Sequence, residues 1–291
     1  SATMVKAGVF LLARIHPIMD ASIAWTLALT IAGLITMLVG AVNGLLQNDI
    51  KKILAYTTLS VLGVLVMLLG LGTDMAIKSA ILFLLGHALY KATLFMCAGA
   101  VDHEAHERDV RLLGGLRKAM PFTAFAALLA ALSKSGFPPF FGFLGKEYAY
   151  KAGHYLDEYS FIILATAVAT NVMLMALALK VGVHVFWAKP PANAPKLHAH
   201  EAPWSMLLGP LILAITGLVL GVFPGSISTA FIRPAVEAVA GHTVEFELAL
   251  WHGFNTALVL SLLTLAGGLA LYLSRRPIWR LRGDGLPAYL T

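Results

Sequence analysis

Runs of about 20 apolar residues alternate with short polar connectors along the chain, as a hydrocarbon layer about 30 Å thick requires of helices that cross it. The runs predict an opening partial helix over 1–15 and seven full spans near 22–46, 52–72, 75–101, 119–150, 160–187, 203–223 and 249–274. The run at 119–150 is too long for one straight crossing and contains Gly136-Phe137-Pro138-Pro139. Two adjacent prolines remove two backbone donors, so a break is predicted there. Broken helices at membrane depth persist only where protein or a water-filled cavity satisfies the freed carbonyls. The pattern therefore predicts an all-α, polytopic transmembrane bundle with a discontinuous helix.

The connectors add orientation. Lys51 and Lys52, then Arg108, Arg111, Arg117 and Lys118, then Lys189 and Lys196, then Arg275, Arg276, Arg280 and Arg282 fall in alternate loops. The opposite loops hold fewer cations, such as Arg14, Lys151 and Arg233. An excess of Lys and Arg marks cytoplasmic loops, which puts the first set inside. The stretch 188–202, with Pro190, Pro191 and Pro195, reads as a cytoplasmic linker. It separates a helical bundle over 1–187 from additional spans over 203–274. Residues near 225–248 are expected at the outer interface, and 275–291 as a basic cytoplasmic tail.

Composition fits lipid as the solvent. Of 291 residues, 59% are hydrophobic and only 12% charged, and the mean hydropathy is +0.81. Ordinary soluble domains carry about 25% charged residues. A formal charge of +6 then reflects topology rather than nucleic-acid binding. Cys97 is the single cysteine, which excludes an intrachain disulfide framework. The ten histidines show no zinc spacing, and no phosphate-binding glycine loop follows a predicted strand. No cofactor is expected, and a metal site is left open. Residue 1 is Ser and opens inside an apolar run, so the chain is expected to begin within a longer protein.

An ionisable side chain in hydrocarbon costs about 2.5–3.5 kcal/mol, so each one is a functional candidate. Lys6 is one, with a lysine snorkelling to an interface as the alternative. His87 and Lys91 lie near the middle of the 75–101 run, and their i, i+4 spacing stacks them on one face. Histidine changes charge near neutral pH, so such a pair can exchange a proton through water. A structural histidine and a packing lysine are the alternative. Lys146 follows the proline break, where a charge beside unwound backbone matches transporter sites. An interfacial anchor is its alternative. Glu147 is placed to pair with Lys151 at i+4. Lys134, at the break, and the cluster Asp49, Lys51 and Lys52 are auxiliary candidates, the cluster being either a proton entrance or a topology signal. Lys78, Lys180 and His184 read as snorkelling side chains.

Several segments together resemble the antiporter-like subunits shared by Mrp-type sodium/proton antiporters and respiratory complex I. They are Ser1 to Phe10, Asp49 to Thr58, His87 to Phe95, Gly114 to Pro121, and Gly136-Phe137-Pro138-Pro139 running to Lys146-Glu147. Val101-Asp102-His103-Glu104, Arg108-Asp109-Val110-Arg111 and Leu250 to Asn255 are similar to the A-type branch of the Mrp group. The resemblance implies the second half of an inverted-repeat antiporter fold in the cell inner (plasma) membrane. It implies a secondary transporter subunit, not an enzyme, in which Lys6, His87, Lys91 and Lys146 pass protons along a hydrated axis. The partners implied are other membrane subunits, protons, Na⁺ and the lipid bilayer, with no nucleic acid. A buried glutamate–lysine pair of the family would lie upstream of residue 1. Lys134 departs from the family pattern, where that position is usually apolar. Two other readings stay open: a redox-driven subunit of complex I or a membrane-bound hydrogenase, and a scaffold subunit with no transport of its own.

Overall fold

The computed structural model describes residues 3–20, 22–154, 160–190, 199–245, 248–250 and 253–274. Among them the regular elements are helices, apart from one antiparallel bridge between Asp49 and Asp109. In chain order they are α1 Ala7–Met19, α2 Ile23–Leu45, α3 Ile50–Leu71, α4 Asp74–Ala105, α5 Pro121–Ser135 and α6 Phe141–His154. Next come α7 Ser160–Leu179, a π-helical turn Lys180–His184, α8 Val185–Trp187, α9 Trp204–Val222, α10 Gly225–Ile227, α11 Arg233–Ala240 and α12 Thr256–Leu273. Six helices among the described residues are long and apolar enough to cross a membrane: α2, α3, α4, the continuous Phe161–Trp187, α9 and α12.

The apolar runs locate these helices, with two differences at their ends. As the double proline predicts, the long run at 119–150 is two helices, α5 and α6, separated by the Gly136–Phe140 segment with its cis Pro138-Pro139 bond. The opening helix extends to Met19, because Pro17 sits in the last turn and Asp20 N–H still bonds the His16 carbonyl. The last run yields a helix only from Thr256, where the Asn255 side chain accepts from Leu258 N–H at 2.8 Å and caps it. The expected tail 275–291, residues 191–198 of the expected linker, and Trp251 and His252 lie outside the described residues.

Local chemistry sets the helix ends. Asp49 accepts from Lys51 N–H at 2.8 Å and Lys52 N–H at 2.9 Å, closing the start of α3. At the other end Gly72 takes a left-handed conformation (φ 67°), and Thr73 Oγ1 accepts from Ala76 N–H to start α4. The resulting hairpin lays α3 against α4. Helices α2 and α3 meet through glycines: a Cβ at Gly33 would lie 2.5 Å from Met67 N. Small residues permit such close backbone approach between membrane helices.

Salt bridges and one borrowed cap close the end of the bundle that carries Asp49. Asp102, at the end of α4, accepts from Lys51 at 2.7 Å and from Arg108 at 2.6 Å. Ile50 N–H bonds Arg108 O and Val110 N–H bonds Asn48 O, both at 2.9 Å, which ties the loop after α4 to the start of α3. Burial raises the Asp109 carboxyl, yet its hydrogen bonds to Arg111 outweigh this and hold it below its ordinary value. Glu201, from the segment ahead of α9, caps α5 from outside, accepting from Phe122 N–H at 2.7 Å and Thr123 Oγ1 at 2.6 Å. One apolar cluster, around Leu54, Leu94, Val101 and Phe186, fills this end of the bundle. A second, around Leu68, Ile77, Leu144 and Val236, fills the other. Phe83 belongs to one and Tyr90 to the other, so the residues between them on α4 sit at the seam.

Glu201→Ala is expected to lower stability by about 1–2 kcal/mol, since it orphans backbone donors at the start of α5. Thermal unfolding in detergent reads the loss, and Glu201→Gln, which keeps an acceptor, should recover part of it.

Candidate functional site

The basic residues singled out in the sequence gather along α4 and at the broken helix. Lys6 is buried in the short 3-10 turn Met4–Lys6 that leads into α1. Its Nζ donates to the Leu84 carbonyl of α4 at 3.0 Å. His87 follows Leu84 by one turn. Lys91 follows His87 by another and donates to the Leu54 carbonyl and Thr57 Oγ1 of α3. His87 and Lys91 are both fully buried. Their spacing predicts a shared face, but they address different neighbours: Lys91 is held by α3, and His87 lines a cavity against α5 and α6.

The break positions Lys146. Helix α5 ends at Ser135, and Gly136 turns the chain with φ 67°. The freed carbonyls of Ser135 and Gly136 accept from Lys146 Nζ at 3.1 and 3.0 Å. The carbonyl end of a helix carries about half a negative charge, which favours a cation there. A Cβ at Gly136 would lie 2.5 Å from Lys146 Cε and 2.7 Å from its Nζ. Glycine thus supplies both the left-handed turn and the room for the amine. Gly221 of α9 closes the break from the side, since a Cβ there would collide with the Pro139 carbonyl and lie 2.5 Å from Phe141 N.

His87, Tyr90, Lys134, Gly142, Lys146 and Asn171 line one small cavity. About 10 Å³ is open to the centre of a water, room for about one molecule. Tyr90 meets the His87 ring edge-on, with centroids 5.5 Å apart. Among the described residues neither His87 ring nitrogen has a hydrogen-bond partner. An unsatisfied buried polar group costs about 1–3 kcal/mol, and a water in the adjoining cavity would relieve it. Lys134 donates to the Leu174 carbonyl of α7 at 3.1 Å. Asn171 donates to Tyr150 OH at 3.0 Å, and Tyr150 shares a 2.6 Å hydrogen bond with Thr264 of α12.

The structure thus brings His87, Lys134 and Lys146 to one cavity, seats the Lys6 amine on Leu84 of α4 one turn before His87, and leaves Lys91 facing α3. Glu147 is buried and pairs with Lys151 at 3.4 Å, as the i+4 spacing predicts. Asp49 caps α3, Lys51 binds Asp102 at the end of the bundle, and Lys52 is exposed. Lys78, Lys180 and His184, read as snorkelling side chains, are all buried within the protein. Lys78 lies over the Tyr148 ring at 5.4 Å. Lys180 and His184 sit on the π-helical turn, and Lys180 donates to the Gln47 carbonyl at 2.7 Å. Extra residues in a π turn re-aim side chains, which a regular helical wheel cannot anticipate. Tyr90, Tyr150, Asn171 and Thr264 are not among the candidates that the sequence offers. Asn171, a lone amide within an apolar run, carries the one signal that could have found them. Among the described residues, no three His, Cys, Asp or Glu side chains converge where a metal ion could bind.

Residues 1–173 match the NADH:quinone oxidoreductase/Mrp antiporter transmembrane family, and the chain belongs to it. A probable K⁺/H⁺ antiporter A/B subunit of Rhizobium meliloti is 38% identical over 293 residues, covering 99% of this chain and 29% of the relative. The Na⁺/H⁺ antiporter A subunit of Alkalihalophilus pseudofirmus is 36% identical, covering 94% of this chain and 37% of the relative. The chain therefore spans only about a third of the length of these relatives. The solved Mrp complex from Dietzia sp. DQ12-45-1b contains a chain with TM-score 0.82 and 32% identity, over 99% of this chain and 31% of that one. A chain of respiratory complex I from Thermus thermophilus matches with TM-score 0.57 over 69% of this chain and 44% of that one. At 23% identity that likeness bears on the fold alone. The architecture is accordingly an antiporter-like bundle of a multi-pass membrane protein.

Gly136→Ala is expected to cost about 1–3 kcal/mol, through left-handed strain and displacement of the Lys146 amine. In a Lys146→Ala background the displacement disappears, so a double-mutant cycle by thermal unfolding should show coupling of about 1 kcal/mol.

Proposed function

We propose that this chain is the proton-conducting part of one member of a multisubunit monovalent cation/proton antiporter in the plasma membrane. Protons pass between Lys6, His87, Lys91 and Lys146 with the help of water, and other membrane subunits complete the exchange for Na⁺. The observation that carries this reading is His87: fully buried, with both ring nitrogens unpartnered, it faces a water-sized cavity shared with Lys146. A structural histidine in an apolar bundle would be expected to find a partner, since buried polar groups almost always do.

The lysines support the same reading. A lysine seated on a backbone carbonyl keeps that hydrogen bond whether it is an ammonium or a neutral amine, because both donate. Its proton can leave without breaking the structure. Like charges that share a site titrate together, so a proton arriving at one group favours departure from the next. Leu84, His87 and Lys91 on α4 supply the scaffold for such a relay, and α5 with its open carbonyl end supplies the Lys146 station.

The relatives that cover nearly the whole chain are named as antiporter subunits, which favours cation exchange over a redox-driven role in complex I or a hydrogenase. Inverted vesicles carrying the full-length assembly test the proposal, with a dye reporting proton movement on addition of Na⁺. His87→Ala and Lys146→Ala should each lower exchange about tenfold or more while assembly stays normal. Full exchange in the double variant would support the scaffold reading instead. Loss in His87→Ala alone would end the path before α6.

A further inference from the structure

The cavity beside His87 holds one basic group more than this relay requires. Lys134 occupies the last turn of α5, and Lys146 binds the carbonyls at the same helix end. Lys146 thus draws on the α5 terminus, which offers about half a negative charge, while the Lys134 amine has only the neutral Leu174 carbonyl of α7. His87 lies in the same cavity, and among the described residues no carboxylate lines it. Three protonated groups around a water-sized space would face about half a compensating charge from the helix end and the buried Glu147 carboxylate, which Lys151 already engages, a balance that a buried site cannot hold. The charges must be carried in turn.

We propose that Lys134 is a third proton-exchanging group of this cavity, charged alternately with His87 and Lys146 rather than together with them. The inference rests on the proton-path reading above. Its geometry is particular: Lys134 Nζ is parked on Leu174 O of α7 at 3.1 Å, one turn from Asn171, which also lines the cavity. A neutral acceptor holds the amine in place in either protonation state. Protonated, Lys134 discourages a second proton on His87 and Lys146. Deprotonated, it admits one.

The ionisable groups around Lys134 are few. From α4 they are His87, Tyr90 and, a turn further, Lys91; from α6, Lys146, the Glu147 already bound to Lys151, and Tyr150. Helix α9 carries none, and Lys180 and His184 of the π turn engage Gln47 and Tyr272. Arg117, Lys118 and Glu201 lie at the opposite end of α5.

Two substitutions separate proton exchange from simple anchoring. Lys134→Arg keeps a donor for Leu174 O but fixes the charge, and Lys134→Met keeps the bulk but removes charge and donor. The same vesicle assay, run across pH on assemblies of equal abundance, reads both. An alternating group requires Lys134→Arg to slow exchange about tenfold or more. Lys134→Met should slow it only about two- to threefold and move the optimum about one pH unit upward, because the remaining groups then bind protons without a competing charge. A structural anchor gives the reverse order, Arg near parental and Met impaired. The inference is overturned if Met is as damaging as Arg, if Arg matches the parent, or if the optimum of Met stays put. His87→Ala and Lys146→Ala run alongside: if both retain full exchange, the path itself is wrong, and if they abolish it, only the assignment of Lys134 is at stake.

Discussion

Amines held by backbone carbonyls organise this bundle. Lys6 sits on Leu84 O, Lys91 on Leu54 O, Lys134 on Leu174 O, Lys146 on Ser135 O and Gly136 O, and Lys180 on Gln47 O. Each contact crosses from one element to another, so the lysines stitch helices while they occupy the interior. Burial of a charge is costly unless it is paired, and a carboxylate partner would be the ordinary solution. A carboxylate would also lock the lysine in its charged form. A carbonyl is neutral and accepts from either form, which makes the interior tolerant of a changing charge pattern.

That tolerance depends on where carbonyls become free. Within a regular helix each is already engaged along the chain, so a second donor must share it. At the end of α5 the break exposes carbonyls outright, and Gly136 gives the Lys146 amine space to reach them. Gly142 admits the Ser133 carbonyl and Gly221 admits the Pro139 carbonyl, so the break is packed from two sides without side chains in the way. The most open backbone in the bundle is therefore also tightly enclosed, as irregular backbone in lipid must be.

Much of this is legible in the sequence, for physical reasons that also mark the limit. Apolar runs of membrane length locate α2, α3, α4, α7, α9 and α12, because hydrocarbon thickness is an external ruler. The double proline locates the break, because missing donors cannot be hidden. The spacing of His87 and Lys91 gives a shared face, but spacing does not say which helix that face meets; α3 takes Lys91, and α5 and α6 take His87. Lys180 and His184 read as the end of a regular helix, and a π turn buries them instead. Lys78 reads as reaching for the interface, and its contacts, the Tyr148 ring and the Glu245 carbonyl, are tertiary ones that no spacing announces. Tyr150, Asn171 and Thr264 carry no charge, so nothing in a hydropathy pattern distinguishes their buried hydrogen bonds from ordinary packing.

The contact between Gly221 and the Pro139 carbonyl bears on how the chain can be divided. Helix α9 follows the proline-rich linker and looks separable by sequence, yet its backbone is the wall against which the break rests. It works as a splint. A shortened protein ending at the linker would keep Lys6, His87, Lys91, Lys134 and Lys146 while losing the surface that holds the unwound segment in shape. For engineering, a unit that keeps the break in shape therefore runs past Lys146 to the end of α9, and grafts or fusions belong beyond Val222 rather than ahead of Trp204.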